Sequence, residues 1–293
     1  MTAIVASNKP SRVQLCDDCK NEMPITRTTC PHCGRPQLFP NVSLAKDSVE
    51  KKKLIDRYNR ALSAAAKRDC AQVALRFDEV CTQTTAVFTC PLERLHRETA
   101  TGTELYETYY DLERLRLRTS SSQNFDWEKL RPQAEIELLG SNKHLDQLHY
   151  ACLSIDGNGL SSYGECAVRL AEPMIAHRAS CFEGNTAVIY AKKRDLSTCI
   201  RCDWGDRNKI CVAVCSDRIS QSTNEADFPG ILLALGVQPD EDQFIEVHIF
   251  GPMTCRTFHS VRIDTAGHSP RQKTYRDAIA EKLAKIPVEI ITS

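Results

Sequence analysis

Apolar positions recur at helical spacing through residues 43–89. Leu54, Tyr58, Leu62, Ala65 and Ala66 form one stripe, and after a break near Cys70 a second follows in Val73, Leu75, Phe77, Val80 and Cys81. Asp47 or Ser48 is placed to cap the start. Pro91 interrupts the pattern and residues 92–96 resume it; Leu105, Tyr109, Leu112 and Leu115 then predict a helix over 104–118. The small polar run 119–124 reads as a linker. Residues 127–154 again read helical, with Leu145, Leu148 and Cys152 on one face, up to the turn Asp156-Gly157-Asn158-Gly159.

Beyond that turn the period changes. Residues 166–170, 187–191, 210–214 and 244–250 are short apolar or alternating runs bounded by turn residues, the signature of strands. Residues 271–285 close the chain as an amphipathic helix with Tyr275, Ile279 and Leu283 on one side. The expected fold class is α+β in three parts: a metal module at 13–40, a helical region at 43–118 and a sheet-rich α+β domain at 125–293.

Composition changes this picture mainly through cysteine. Of 15 cysteines, Cys16, Cys19, Cys30 and Cys33 have the spacing Cys-x2-Cys-x10-Cys-x2-Cys, in which each pair turns both thiolates toward one point and two pairs close a tetrahedral shell. Four thiolates with no redox context favour structural zinc. The run Cys30-Pro31-His32-Cys33-Gly34-Arg35-Pro36 resembles the second knuckle of zinc-ribbon modules, with glycine permitting a tight turn and His32 left outside the ligand set. A later group, Cys199, Cys202, Cys211 and Cys215, is read as structural, because 211–215 alternates like a strand and would hold its two cysteines about 13 Å apart.

Formal net charge is +0, which removes any overall bias toward nucleic acid or anionic lipid; the basic residues from Lys51 to Arg68 are read as a solvated helix face. No stretch approaches the ~18 apolar residues of a membrane span, and residues 1–10 have no charged segment ahead of their short apolar run. The expected location is the cytoplasm, without a membrane partner.

The sharpest polar arrangement is Phe244-Ile245-Glu246-Val247-His248-Ile249-Phe250. Alternation puts Glu246 and His248 on one side with two phenylalanines, and a carboxylate among aromatics is costly unless paired or used. The order of Tyr163-Gly164, a strand containing Arg169, then Arg178-Ala179-Ser180 and a late Glu246 resembles ADP-ribosyltransferase-type domains of bacterial and phage-associated toxins, over roughly residues 145–263. The resemblance implies an NAD-dependent transferase, a toxin or defence effector that modifies a protein or nucleic acid. It implies Glu246 as the catalytic anion with His248 beside it, Arg169 or Arg178 on the pyrophosphate, Ser180 at the ribose, and Tyr163 or Tyr190 stacked on nicotinamide. Many such enzymes carry Glu or Gln two residues before the glutamate, where this chain has Phe244. The alternative is a non-enzymatic adaptor whose zinc ribbon and helical region bind nucleic acid or protein.

Overall fold

The computed structural model describes residues 13–16, 18–24, 27, 29–35, 37–100, 105–114, 127–139, 145–284 and 286–291. The expected linker at 119–124, the far end of the helix expected over 104–118, and the N-terminal ten residues lie outside them.

Strands β1 (Val13–Leu15) and β2 (Glu22–Pro24) pair as an antiparallel hairpin that carries the first cysteine knuckle, and the second follows β2. Next come α1 (Pro40–Ala45), α2 (Ser48–Lys67) and α3 (Ala71–Cys81). Asp47 caps α2 by accepting from the Val49 amide, and the predicted stripe of Leu54, Tyr58, Leu62 and Ala65 packs into the core. The chain continues through β3 (Thr85–Cys90), α4 (Leu92–Thr99), α5 (Tyr109–Arg114), α6 (Trp127–Leu139), β4 (Leu148–Ser154) and β5 (Cys166–Leu170). The last part comprises α7 (Glu172–Ile175), β6 (Ala179–Phe182), α8 (Thr186–Lys193), β7 (Arg201–Asp203), α9 (Arg207–Cys215) and α10 (Phe228–Leu232). It closes with β8 (Glu246–Phe250), β9 (Phe258–Asp264), α11 (Pro270–Lys282) and β10 (Val288–Ile291).

Among the described residues, eight strands form one sheet in the order β10-β9-β5-β3-β4-β8-β6-β7, antiparallel except for β10 beside β9. The α+β class is as expected. One face of the sheet presents Leu153, Cys181, Val247 and Ile249 to a core built with α2, α3, α9 and α11, through residues such as Leu54, Phe77, Ile210 and Ile279. The other face presents Leu148, Phe182 and Phe250 to α1 and α6, through Phe39, Val42, Leu138 and Leu139.

Four segments take a different form from the pattern reading. The helical pattern expected over 43–89 stops short of its end: residues 85–89 belong to β3, where Thr-Ala-Val-Phe-Thr suits a pleated buried surface. Residues 148–154, also read as helix, form β4; buried on both faces between β3 and β8, the strand shows no alternation to reveal it. Conversely, 187–191 belongs to α8 and 210–214 to α9, short apolar runs whose burial hides their period. Cys211 and Cys215 are therefore one helical turn apart, not about 13 Å, so the spacing argument against their sharing an ion does not apply to them.

The expected division into residues 43–118 and 125–293 also meets a different arrangement. β3, from before the linker, is hydrogen-bonded between β4 and β5, from after it, and α2 and α3 share a core with α9. The two stretches build one sheet together.

Candidate functional site

The N-terminal knuckles bring four sulfurs within 4.8 Å of one another. Cys16 Sγ and Cys33 Sγ are 3.6 Å apart, as are Cys19 Sγ and Cys30 Sγ. A tetrahedral ion with metal–sulfur bonds of about 2.3 Å requires edges of roughly 3.8 Å, so the donor set fits one. The two knuckles repeat one geometry. The Lys20 amide donates to Cys16 O and the Gly34 amide to Cys30 O, and both residues sit at positive φ, 59° and 71°. Glycine adopts that conformation freely, as the sequence implied; lysine does so at a cost. His32 is exposed, with Nε2 against Glu22 O, outside the sulfur cluster.

The second site lies on the sheet face opposite the larger core. Register runs straight across it: Arg169 pairs with Val87, Val87 with Cys152, Cys152 with Glu246, and Glu246 with Phe182. Paired residues project on the same face, so Glu246 and Arg169 share a side. They stand three strands apart, about 14 Å at the usual strand spacing. Beside this row, Tyr150, His248 and Ser180 form the next one on that face.

Glu246 is 2% exposed and β8 is interior, between β4 and β6. Its Oε2 accepts from the Thr186 amide (2.9 Å), from the Thr186 hydroxyl, and from His248 Nε2 (2.9 Å). Thr186 opens α8, whose N-cap, Asn185, accepts from the Ala187 and Val188 amides. The first turn of that helix therefore points its free amide and the positive end of its dipole at the carboxylate. Burial alone would raise the Glu246 pKa, but the His248 hydrogen bond and charge, the Arg131 guanidinium and the Thr186 hydroxyl together hold it below the usual carboxylate range.

A pocket of about 100 Å³ opens onto this carboxylate. Its floor is Val87, Thr89, Cys152, Phe244 and Glu246; its walls are Arg131 from α6, Tyr150, Leu160, Tyr163 and Asn185. Arg131 lies over the Tyr150 ring at 4.3 Å and 3.7 Å from Glu135 Oε1. Glu135 accepts from the hydroxyls of both Tyr110 and Tyr150, and burial raises its pKa. Burial raises the Tyr163 phenol to about 12, so that ring meets the pocket as a neutral phenol. Two larger clefts adjoin: one of about 220 Å³ shares Asn185 and Phe244, and one of about 920 Å³ shares Thr89.

Of the residues singled out from sequence, Glu246, His248 and Tyr163 come together here. His248 stands behind Glu246, 2% exposed between Tyr150 and Phe182, and does not line the pocket. Arg178 is elsewhere, donating to the carbonyls of Met174, Phe250 and Pro252. Arg169 packs over Gly157, where a Cβ would come within 2.8 Å of its Cδ. Ser180 receives the Asn41 amide of α1, which also ties down Arg178 O and His248 O. Tyr190 sits on α8 under Arg194, away from the pocket. Arg131, Thr186 and Asn185 take the places expected of these residues. Asn185 ahead of an apolar run was a readable helix-start signal; nothing in the sequence marked Arg131.

Fold and site define an α+β protein with an N-terminal four-cysteine module fitting a zinc ribbon and a buried carboxylate that lines a pocket with a histidine behind it. No family model matches the chain, and no curated protein matches it. Among solved structures it is similar to Thermosipho africanus DarTG in complex with ADP-ribose, with 11% identity and a TM-score of 0.39 over 70% of this chain and 49% of that one. The match thus spans about half the length of the DarTG chain. No helix among the described residues is long and apolar enough to cross a membrane.

Proposed function

We propose that the Glu246 pocket is the reaction centre of an NAD-dependent ADP-ribosyltransferase, and that the cysteine module is a structural zinc ribbon. The observation that carries the first reading is a buried carboxylate, held by the Thr186 amide and hydroxyl and by His248, that lines a small aromatic pocket. A fixed anion there stabilises a cation that develops next to it, with no solvent reorganisation to undo. Cleavage of the bond between nicotinamide and ribose sends the bonding pair to nicotinamide, which leaves neutral, and puts positive charge on the ribose. The acceptor nucleophile then bonds to that carbon and gives up its proton to solvent or a base. A pocket of about 100 Å³ takes a ring, not a dinucleotide. The nicotinamide end therefore enters between Tyr163 and Glu246, and the remainder lies across the pocket mouth. Arg131 supplies the guanidinium in this reading; Arg169 and Arg178 do not. His248 is a positioning residue that holds the Glu246 carboxylate.

Purified chain incubated with nicotinamide-labelled NAD and cell extract should release nicotinamide. Glu246→Gln should slow that release by about a hundredfold or more, the scale of losing one preorganised electrostatic group. Equal release by the variant sinks the proposal. The adaptor reading retains one observation in its favour: Leu15 on β1 of the ribbon is 61% exposed, an apolar side chain open to a protein partner. The ribbon and helical region would on either reading recruit a protein or nucleic-acid target.

A further inference from the structure

We propose that the 220 Å³ cleft beside the Glu246 pocket is a second ligand site, which takes a small organic cation through Asp240. Asn185 and Phe244 line both spaces and form the wall between them. The cleft carries several carboxylates, and their commitments differ. Glu183 is paired with Arg57 and accepts the Ile200 amide. Glu241 accepts the amides of Val237 and Gln238, and Asp242 accepts from the Gly236 amide and the Ser162 hydroxyl. Asp240 alone of the four is uncommitted: it is 8% exposed, and its Oδ1 has no hydrogen-bond partner among the described residues.

A carboxylate oxygen withdrawn from water without a donor is costly, and the cost disappears when a ligand brings the donor. The cations of the cleft do not fill that role. Arg218 is turned to Ile231 O, and Lys192 is exposed at the rim. Val188, Ile189 and Leu232 add apolar wall. A buried anion in a mixed cleft with an aliphatic strip of Val188, Ile189 and Leu232 fits an alkyl chain ending in guanidinium or primary ammonium: the charged nitrogen meets Asp240 and the methylenes meet the aliphatic side chains.

The test is calorimetric titration of the full zinc-loaded chain with agmatine, with neutral butylurea as the control. Saturable binding of agmatine and none of butylurea is expected. Asp240→Asn should weaken it by roughly 30-fold or more, the loss typical when a buried charge pair is broken. Lys192→Glu, an exposed change that leaves the packing intact, should tighten it several-fold; if Asp240→Asn does not fold, unchanged affinity in Lys192→Glu overturns the assignment. No saturable agmatine binding, equal binding by Asp240→Asn, or equal binding of butylurea also overturns it. The readout is binding and not turnover, so failure here leaves the NAD proposal standing, and failure of that proposal leaves this one.

Discussion

Glu246 and Glu98 are both buried carboxylates, and their surroundings drive them in opposite directions. Glu246 meets the first amide of α8, a histidine and a nearby guanidinium, which outweigh desolvation and lower its pKa. Its contribution to stability is then fully present above the unfolded value of about 4.3 and is lost as pH falls through the lower folded value. In acid denaturation followed by circular dichroism, the wild type should lose stability below about pH 4 more steeply than Glu246→Gln. For Glu98, burial dominates over its bond to Arg94 and raises the pKa to about 7. The native state there holds a proton that the unfolded chain has released, so stability should fall as pH rises from about 4.3 toward 7. Urea melts across that window should show the decline in wild type, on the order of 2–3 kcal/mol, and lose it in Glu98→Gln. Alternation along β8 revealed the Glu246–His248 pair because a strand's period is local. The partners Thr186 and Arg131 arrive from α8 and α6, and no local period announces them.

At the scale of elements, α8 joins fold to site. Asn185 satisfies two of its first amides, which leaves the Thr186 amide to Glu246. Asn185→Ala should cost about 1 kcal/mol, measured as a lower thermal midpoint, while Asn185→Asp should retain most of the cap. The four-cysteine module is the element whose geometry was most legible, since two Cys-x2-Cys knuckles bring their sulfurs together locally. So short a module has little core: Met23 is the one side chain other than cysteine in its buried apolar cluster. Cys30→Ser should abolish zinc retention, read by metal analysis, and collapse the amide NMR dispersion of the ribbon while signals from the eight-stranded sheet persist. Helix and strand were confused where burial was complete. β4 shows no regular alternation because both its faces are covered, and residues 210–214 of α9 read as a plain apolar run because the helix packs against α2 and α3. The exposed polar face that would have betrayed the period was missing in each.

For the whole molecule, the decisive fact is that β3 lies in the middle of a sheet whose other strands come from after residue 145. A fragment of residues 125–293 would lack β3 and expose the edges of β4 and β5 in the sheet interior. It should be unfolded or aggregated, while a fragment beginning at residue 37 should retain a cooperative melt. A well-dispersed NMR spectrum from 125–293 would show that β4 and β5 close on each other without β3. By itself the sequence determined the cysteine shell, the mixed α+β class, the α2 stripe, the closing helix and the shared face of Glu246 and His248, all features whose physical cause lies within a few residues. Tertiary structure decided which guanidinium shares a pocket with that carboxylate, which hydroxyl holds it, and that both halves of the chain build one sheet. Those outcomes depend on strand order and register, set by packing between segments 60 or more residues apart, and no local pattern encodes them.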